Sequence, residues 1–284
     1  MNKALIIYYT CSGNTREMAN ITAKILRESD WEVRVYNLRT YKPERISFEP
    51  QLLIVGVPVH YWEMPDAAVK MIRDLPQFKN TAGFVFSTFG KCVCNSVPFQ
   101  LAQELQAKGV NVLGGAQIVM PHSSRLDEHT RIGDIEPSFG QGEPSADIVR
   151  QYGIALRDIT HKINEGPVAA LDVTKLKALH TRNAVANVMN VFMTTGMRRD
   201  FMPYVQRNVE KCIQCKKCVS HCDYQALKLS GQKEFSLLKK RCKKCYTCIE
   251  VCKQNALYTN WKQVIFWTRF IHPFSKNTDT IVIQ

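Results

Sequence analysis

A duplicated cysteine motif near the C-terminal end constrains this chain more than any other feature. The motif has the spacing C-x2-C-x2-C-x3-C, and its second copy starts thirty residues after the first. The two copies comprise Cys212, Cys215, Cys218 and Cys222, followed by Cys242, Cys245, Cys248 and Cys252. The pair Ala226-Leu227 recurs as Ala256-Leu257 at the same offset. Duplication of a half-domain is the simplest explanation.

The chemistry of iron–sulfur clusters accounts for this spacing. Three thiolates on one tight loop bind three corners of a cubane, and a fourth thiolate comes from the other half of the repeat. Zinc is the alternative, because four-cysteine zinc sites built from C-x2-C pairs are common. A zinc site needs two pairs, whereas this chain offers two quartets in which the third cysteine is placed identically. The motif therefore favours iron–sulfur clusters over zinc.

Residues 206–260, which we call the cysteine module, resemble bacterial two-cluster (2×4Fe–4S) ferredoxins, small α+β domains. That family has a proline after each fourth cysteine, and here Asp223 and Lys253 stand in its place. Since the proline shapes the chain and is not a ligand, its loss bears on loop geometry and not on ligation. The resemblance implies crossed ligand sets, with Cys212, Cys215, Cys218 and Cys252 holding cluster 1 and Cys242, Cys245, Cys248 and Cys222 holding cluster 2.

The first 165 residues alternate short apolar runs with helical patterns. The order predicts an α/β domain with a parallel sheet covered on both faces. Ligands bind such sheets at the carboxyl ends of the strands, where the strand order reverses. The apolar runs are 4–9, 31–36, 52–59, 82–86 and 118–120, the last with an alternative start near 112, and the helical patterns are 15–28, 65–75, 96–108 and 145–164.

A hydroxyl-rich turn separates the first strand from the first helix. It reads Thr10, Cys11, Ser12, Gly13, Asn14, Thr15. Hydroxyl groups can donate to phosphate oxygens, a glycine lets the backbone come close, and N–H groups at a helix start attract a dianion. The turn has neither a Walker nor a G-x-G-x-x-G pattern, which argues against a nucleoside triphosphate or a dinucleotide. An ordinary Ser/Thr helix cap is the alternative.

This turn resembles the FMN phosphate loop of flavodoxins, and the resemblance covers residues 1–165, here called the N-terminal domain. It implies a five-stranded parallel sheet in the order 2-1-3-4-5. It also implies that the turns after the third and fourth strands hold the isoalloxazine ring, although their aromatic side chains could instead pack against the domain edge. These turns contain Pro58, Val59, His60, Tyr61 and Trp62, then Thr88, Phe89, Gly90 and Lys91.

Charge is distributed unevenly along the chain. Residues 1–165 carry 18 Lys/Arg and 18 Asp/Glu, whereas residues 206–284 carry 15 and 5, which is +10 of the net +13. The basic run 239–244 borders one cysteine loop, and lysines there can steer an acidic redox partner such as a small ferredoxin. A solvated charged face is the alternative. Nucleic-acid binding is disfavoured, because no aromatic platform is interleaved with the basic residues.

Three segments lie outside the two resemblances. Residues 166–205 have partly helical apolar spacing and predict a helical linker, and the aromatic and basic tail 261–284 is expected to pack within the molecule, with a membrane face or a partner as alternatives. The loop 122–144 could cover the flavin, dock the second domain or form a surface excursion. Cys92 and Cys94 are interpreted as plain thiols.

The location expected from the sequence is the cytoplasm. The apolar run at the N-terminus has only about seven residues and no small-residue cleavage site, so it predicts a buried strand and not a secretory signal. No run approaches the roughly 18 apolar residues of a membrane span. The sequence does not indicate an oligomeric state.

The whole chain resembles flavodoxin–ferredoxin fusion proteins. That resemblance implies FMN, two 4Fe–4S clusters and electron transfer that adapts one-electron carriers to two-electron chemistry. Two other functions stay open at this point. One is an FMN-dependent reductase of a small molecule, with the loop 122–144 and its Arg125 and His129 as a substrate lid. The other is a sensor of redox state or oxygen.

Overall fold

Each apolar run of the N-terminal domain forms a parallel strand. The computed structural model describes residues 2–42, 49–90, 96–121, 140, 142–179, 192–230, 234–271 and 280–283. The strands are Lys3–Tyr8 (β1), Glu32–Asn37 (β2), Leu52–Pro58 (β3), Ala82–Phe89 (β4) and Asn111–Val119 (β5). Their order, β2-β1-β3-β4-β5, confirms the predicted topology.

Helices cover both faces of this sheet because its central strands are apolar on both sides. Met18 and Leu156 belong to the apolar layer on one face, and Ile72 and Leu101 to the layer on the other, all of them fully or almost fully buried. The result is a three-layer domain whose ligand-binding edge is the carboxyl end of the strands. The helices are Asn14–Arg27 (α1), Asp66–Arg73 (α2), Val97–Gln106 (α3) and Ala146–Glu165 (α4).

Two described helical segments lie in the predicted linker. A 3-10 helix, Val173–Leu179, packs on the sheet domain through Leu176, which is fully buried. The helix Thr195–Asp200 (α5) is capped by Thr194, whose hydroxyl accepts from the Met197 N–H at 3.3 Å. The chain between them, 180–191, lies outside the described residues.

The cysteine module is built from two short β–loop–helix halves. Val205, Leu227, Ile249 and Leu257 form its small buried core. The elements are Gln206–Arg207 (β6), Lys217–Ser220 (α6), Leu227–Leu229 (β7), Phe235–Leu237 (β8), Thr247–Glu250 (α7) and Leu257–Tyr258 (β9), with β6 paired to β9 and β7 to β8, both antiparallel.

The C-terminal tail contacts both parts of the molecule. The helix Trp261–Ile271 (α8) begins beside the core of the cysteine module, where the Trp261 ring lies 6.4 Å from that of Tyr246. The strand Ile281–Ile283 (β10) then pairs antiparallel with β5 and becomes a sixth strand of the first sheet, which the sequence did not indicate. In the described part of the chain, no helix has the length and apolarity to cross a bilayer.

Candidate cofactor sites and the interface between them

The phosphate turn adopts a conformation that favours glycine. Gly13 is the N-cap of α1 with φ 114°, and no side chain caps the first N–H groups of this helix. The Gly13 N–H itself donates to the Thr10 hydroxyl at 3.0 Å. The alternative of an ordinary Ser/Thr cap does not describe this turn, because neither a serine nor a threonine occupies the cap. The N–H groups of the first turn point out of the helix start, which suits an anion.

Thr15 and Thr88 connect this turn to the end of β4. Both side chains are buried, and their hydroxyl oxygens lie 2.8 Å apart. The side-chain amide of Asn14 donates to the Pro121 carbonyl, which ties the turn to the chain after β5. Ser12 is exposed. The turn therefore stands at the carboxyl edge of the sheet, in contact with the chain at the ends of β4 and β5, where an α/β sheet binds its ligand.

The loop after β3 is held by groups that the sequence did not connect to it. Trp62 is 7% exposed, and the Arg198 guanidinium of α5 lies 4.7 Å from its ring centroid. Arg198 also pairs with Glu63 at 3.4 Å. The Tyr61 hydroxyl donates to the Lys244 carbonyl of the cysteine module at 2.7 Å. Both aromatic side chains predicted to contact a flavin ring thus also anchor other parts of the chain.

The two predicted ring loops, after β3 and β4, are joined by a backbone hydrogen bond. Val59 donates its N–H to the Thr88 carbonyl at 2.9 Å, which joins the loops after β3 and β4. Phe89 is 5% exposed. Lys91 lies outside the described residues, and so do Cys92, Cys94 and the stretch 122–139 with Arg125 and His129.

The eight module cysteines surround two separate cavities. Each cavity takes three cysteines from one loop and the fourth from the other loop. No disulfide joins any cysteine of the described structure. Four thiols around a largely apolar space suit a cubane cluster, so the residues fit the group that the sequence predicts. We call the cavity lined by Cys212, Cys215, Cys218 and Cys252 the outer cavity, and that lined by Cys222, Cys242, Cys245 and Cys248 the inner cavity.

The backbone of the two loops is repeated along with the cysteines. Gln214 and Lys244 are both left-handed, with φ 58° and 53°. Lys216 and Tyr246 follow with φ 57° and 56°. The fourth cysteine of each motif also accepts a backbone N–H at 3.3 Å, from Ala226 in one half and from Ala256 in the other. These loops curl the chain around each cavity despite the strain that positive φ puts on residues other than glycine.

An ion pair joins the inner side of the module to the N-terminal domain. Arg39, just after β2, binds Asp223 through Nε–Oδ1 at 2.9 Å and Nη2–Oδ2 at 2.7 Å, and the side chains are only 16% and 11% exposed. Tyr9 donates its hydroxyl to the same carboxylate at 2.5 Å, while Arg39 also donates to the Thr10 carbonyl. Asp223 stands where the ferredoxin family has proline, so the departure supplies a contact between the domains.

The electrostatics of this network follow from its burial. Burial raises the pKa of the Tyr9 phenol, and the neighbouring Cys11 and Asp223 add to the rise. Burial also opposes the charge of Arg39, but the hydrogen bond to Asp223 and the nearby Tyr9, Cys11 and Asp223 groups together outweigh it, so the guanidinium pKa rises. At neutral pH the network therefore holds a neutral phenol and a charged guanidinium.

A second set of contacts lies along α2. Asp66 pairs with Lys243 at 2.7 Å and with Arg199 at 3.5 Å. Burial opposes ionisation of Asp66, yet the Lys243 hydrogen bond lowers its pKa below the ordinary value. Lys244 is 5% exposed and donates to the Arg199 carbonyl at 2.8 Å. Two lysines of the basic run 239–244 are thus occupied inside the molecule, while 239–241 are exposed.

Cys11 brings the phosphate turn to the edge of the inner cavity. Its thiol interacts with His60 and Thr247, and Arg39 approaches its sulfur to 3.8 Å. Burial alone would raise the pKa of the Cys11 thiol. The interactions with His60 and Thr247 act in the opposite direction, and the pKa falls below its ordinary value, to about 7. The Thr247 hydroxyl also lies 3.4 Å from the sulfur of Cys245. One hydroxyl group therefore stands between the two predicted cofactor sites.

Comparison with known proteins assigns both parts. The flavodoxin family model matches residues 6–142, and the 4Fe-4S dicluster domain model matches residues 211–257. A ferredoxin of Pyrobaculum islandicum is 39% identical over 46 residues, 16% of this chain, which spans 43% of that ferredoxin.

Solved structures include flavodoxins. A flavodoxin from the domain Archaea is 24% identical over 48% of this chain and 98% of its own, with a TM-score of 0.36. The rubredoxin oxygen:oxidoreductase of Desulfovibrio gigas is 24% identical over 42% of this chain and 30% of its own, with a TM-score of 0.35. With both domain families matched in sequence, the chain is a flavodoxin–ferredoxin fusion, whose domains imply FMN and 4Fe–4S clusters.

Proposed function

We propose that this chain passes electrons between a one-electron carrier protein and FMN by way of two 4Fe–4S clusters. The proposed FMN site consists of the turn 10–15 and the loops 58–62 and 88–91. The proposed ligands of cluster 1 are the four cysteines of the outer cavity, and those of cluster 2 are the four cysteines of the inner cavity. When bound, iron–sulfur clusters exchange single electrons, and FMN exchanges one or two.

The observation that carries this proposal is the contact between the two sites. The Thr247 hydroxyl lies 3.4 Å from the Cys245 sulfur and is also near enough to the Cys11 thiol of the phosphate turn to help lower its pKa. A ligand of the inner cavity and the FMN turn thus share one neighbouring side chain. Groups bound at these sites are close together, as electron transfer between them requires.

The described contacts also support delivery of electrons from the cysteine module to the flavin. The cysteine module lies against the loops that are proposed to hold the flavin ring, with Tyr61 bonded to the Lys244 carbonyl. The Tyr224 hydroxyl accepts from the Ala67 N–H at 3.4 Å on the same side. A protein that covers this side of the FMN site with its own second domain is built to deliver electrons there.

The chain's residues fix the position of the cysteine module on the N-terminal domain. Arg39 and Asp223 fix the module on the N-terminal domain with a bidentate, largely buried ion pair, whose geometry is more specific than that of a lysine contact. Asp66 and Lys243 fix a second point. Two separate attachments prevent rotation about either one, so the distance between the two sites stays constant.

Paired cysteine variants test the two-cluster arrangement. Cys245→Ser and Cys215→Ser each remove one ligand, from the inner and the outer cavity respectively. After anaerobic purification, each variant should lose about four iron atoms or the paramagnetic signal of one cluster. Magnetic interaction between reduced flavin and a cluster, seen by EPR, should disappear only in Cys245→Ser. Equal loss of that interaction in both variants would contradict the proposed order of sites.

A glycine pair tests the phosphate turn. Gly13→Val introduces a branched side chain at φ 114°, where L residues are strained, and should lower the flavin content of the purified protein by about tenfold. Gly142→Val carries a similar penalty at φ 79°, in a place where nothing lies within 4 Å of the added carbon. The control should keep its flavin. Full flavin content in Gly13→Val would remove the turn from the site.

A further inference from the structure

The two cavities differ in what lies over them. Cys215 of the outer cavity is exposed, whereas the other module cysteines are only partly so. Ile213 and Val209 beside it are 65% and 52% exposed. On the inner cavity, Thr247 and Lys244 are 2% and 5% exposed, because the N-terminal domain and α5 cover them. The outer cavity therefore faces solvent with an apolar centre.

Lysines surround that apolar centre. Each cysteine of the outer cavity has an exposed lysine next to it in the sequence, and Glu210 is an exposed carboxylate of the same stretch. In contrast, the inner cysteines adjoin Lys243 and Asp223, both paired across the interface, the buried Lys244 and a single exposed cation, Arg241. The exposed lysines are Lys211, Lys216, Lys217 and Lys253.

The internal repeat relates the exposed face to the covered one. A shift of thirty residues places Ile213 on Lys243 and Lys217 on Thr247. In the inner half, both of these positions contact the N-terminal domain, and Lys243 does so through Asp66 at 2.7 Å. The inner half thus uses a basic face to contact the acidic residue Asp66 inside the molecule. The outer half carries an equally basic second copy of this face, which contacts no other part of the described structure.

We propose that this second copy is the docking surface of an acidic redox protein. The surface, called the outer face, consists of Val209, Lys211, Ile213, Lys216, Lys217 and Lys253. The inference deepens the proposed function, on which it depends, by naming where the external carrier binds. A small apolar centre surrounded by lysines that outnumber the one nearby carboxylate, Glu210, suits a transient complex, in which charge sets the rate of encounter and its orientation.

Matched charge reversals test the outer face. The first variant combines Lys211→Glu, Lys217→Glu and Lys253→Glu. The control combines Lys70→Glu, Lys79→Glu and Lys175→Glu, three exposed lysines of the N-terminal domain and the 3-10 helix, and so makes the same change in net charge. The binding partner is a small acidic bacterial ferredoxin, titrated at low salt against the anaerobic holoprotein. Affinity should fall at least about tenfold in the first variant and less than about threefold in the control.

Iron and flavin contents keep the two proposals separate. If wild-type protein contains both cofactors but the two variants bind the ferredoxin equally well, the outer face is wrong and the proposed function stands. Wild-type protein without iron or flavin would instead end the proposed function. A basic c-type cytochrome serves as a second partner, and tighter binding of that protein than of the ferredoxin would overturn the charge argument.

A measurement on wild-type protein covers the case in which the first variant does not fold. Hydrogen exchange with and without the acidic ferredoxin should show protection concentrated at 209–217 and around 253. Protection confined to the N-terminal domain would place the partner elsewhere and contradict the proposal. Ile213→Ser, which keeps the charge, should weaken binding by about fivefold or more through faster dissociation.

Discussion

The two halves of the cysteine module have one backbone and two surroundings. Both loops place left-handed residues at matching positions, such as Gln214 and Lys244, and both fourth cysteines accept the same backbone hydrogen bond. Yet the inner half is pressed against the N-terminal domain, while the outer half carries exposed apolar and basic side chains. Duplication preserved what a cluster requires of the backbone and left the side chains to define what each half meets.

The same comparison explains the replacement of the expected prolines. Asp223, which follows the fourth cysteine of the inner cavity, binds Arg39 across the interface, whereas Lys253, which follows the fourth cysteine of the outer cavity, is exposed. The position after the fourth cysteine therefore anchors the module where it is Asp223 and belongs to the outer face where it is Lys253. The opposite charges at these equivalent positions suit an internal contact with Arg39 and the proposed external contact with an acidic protein.

The largest expected effect comes from removing the anchor next to the inner cavity. Asp223→Ala leaves Arg39 largely buried without its carboxylate and should lower the free energy of unfolding by about 3 kcal/mol. Lys253→Ala, at the equivalent position, should change it by less than about 0.5 kcal/mol. Denaturant unfolding of the anaerobic holoproteins measures both. Equal losses of unfolding free energy in the two variants would mean that the interface does not distinguish the surroundings of the inner cavity from those of the outer cavity.

A smaller effect is expected at the loop after β3. Tyr61→Phe removes the hydrogen bond to the Lys244 carbonyl and should cost about 1 kcal/mol. Hydrogen exchange should quicken at 242–248 and stay unchanged at 212–218, the equivalent segment of the outer half. Similar acceleration in both segments would show that the contact acts on the whole module and not on its inner half.

The smallest effect concerns the reduction potential of the outer half. Arg207 approaches the Cys212 sulfur to 3.9 Å, and the equivalent residue thirty positions later is Leu237. Positive charge near a ligand sulfur favours the reduced state, so Arg207→Leu should lower one cluster potential by roughly 30 mV, about 0.7 kcal/mol for one electron. Redox titration followed by EPR measures the shift. A fall in both potentials, or in neither, would contradict this assignment.

Much of the fold was predictable because it depends on local pattern. The parallel sheet of the N-terminal domain followed from apolar runs separated by helical periods, its strand order followed from the resemblance to flavodoxins, and the turn at Gly13 adopts the positive φ that such a turn needs. The strand β10 was missed, since three apolar residues in a tail carry no period, and its partner β5 lies some 160 residues earlier.

The interface was not predictable for the same reason of distance. The partner of Asp223 is 184 residues away, and the only signal was the missing proline. The basic run 239–244 predicted a steering surface, but a sequence cannot tell that Lys243 would find Asp66 or that Lys244 would be buried. In a sequence, side chains that join two domains cannot be told apart from side chains that are exposed to solvent.

The antiparallel strand β10 has a consequence for how the molecule is completed. It covers the outer edge of β5, an edge that otherwise offers unpaired backbone groups to other chains. Because β10 follows the cysteine module in the chain, that edge stays open during synthesis until the entire module has been made. The edge of the first sheet is thus covered last. A chain truncated after the module would expose the edge of β5, which can pair with other chains and which the intact protein covers.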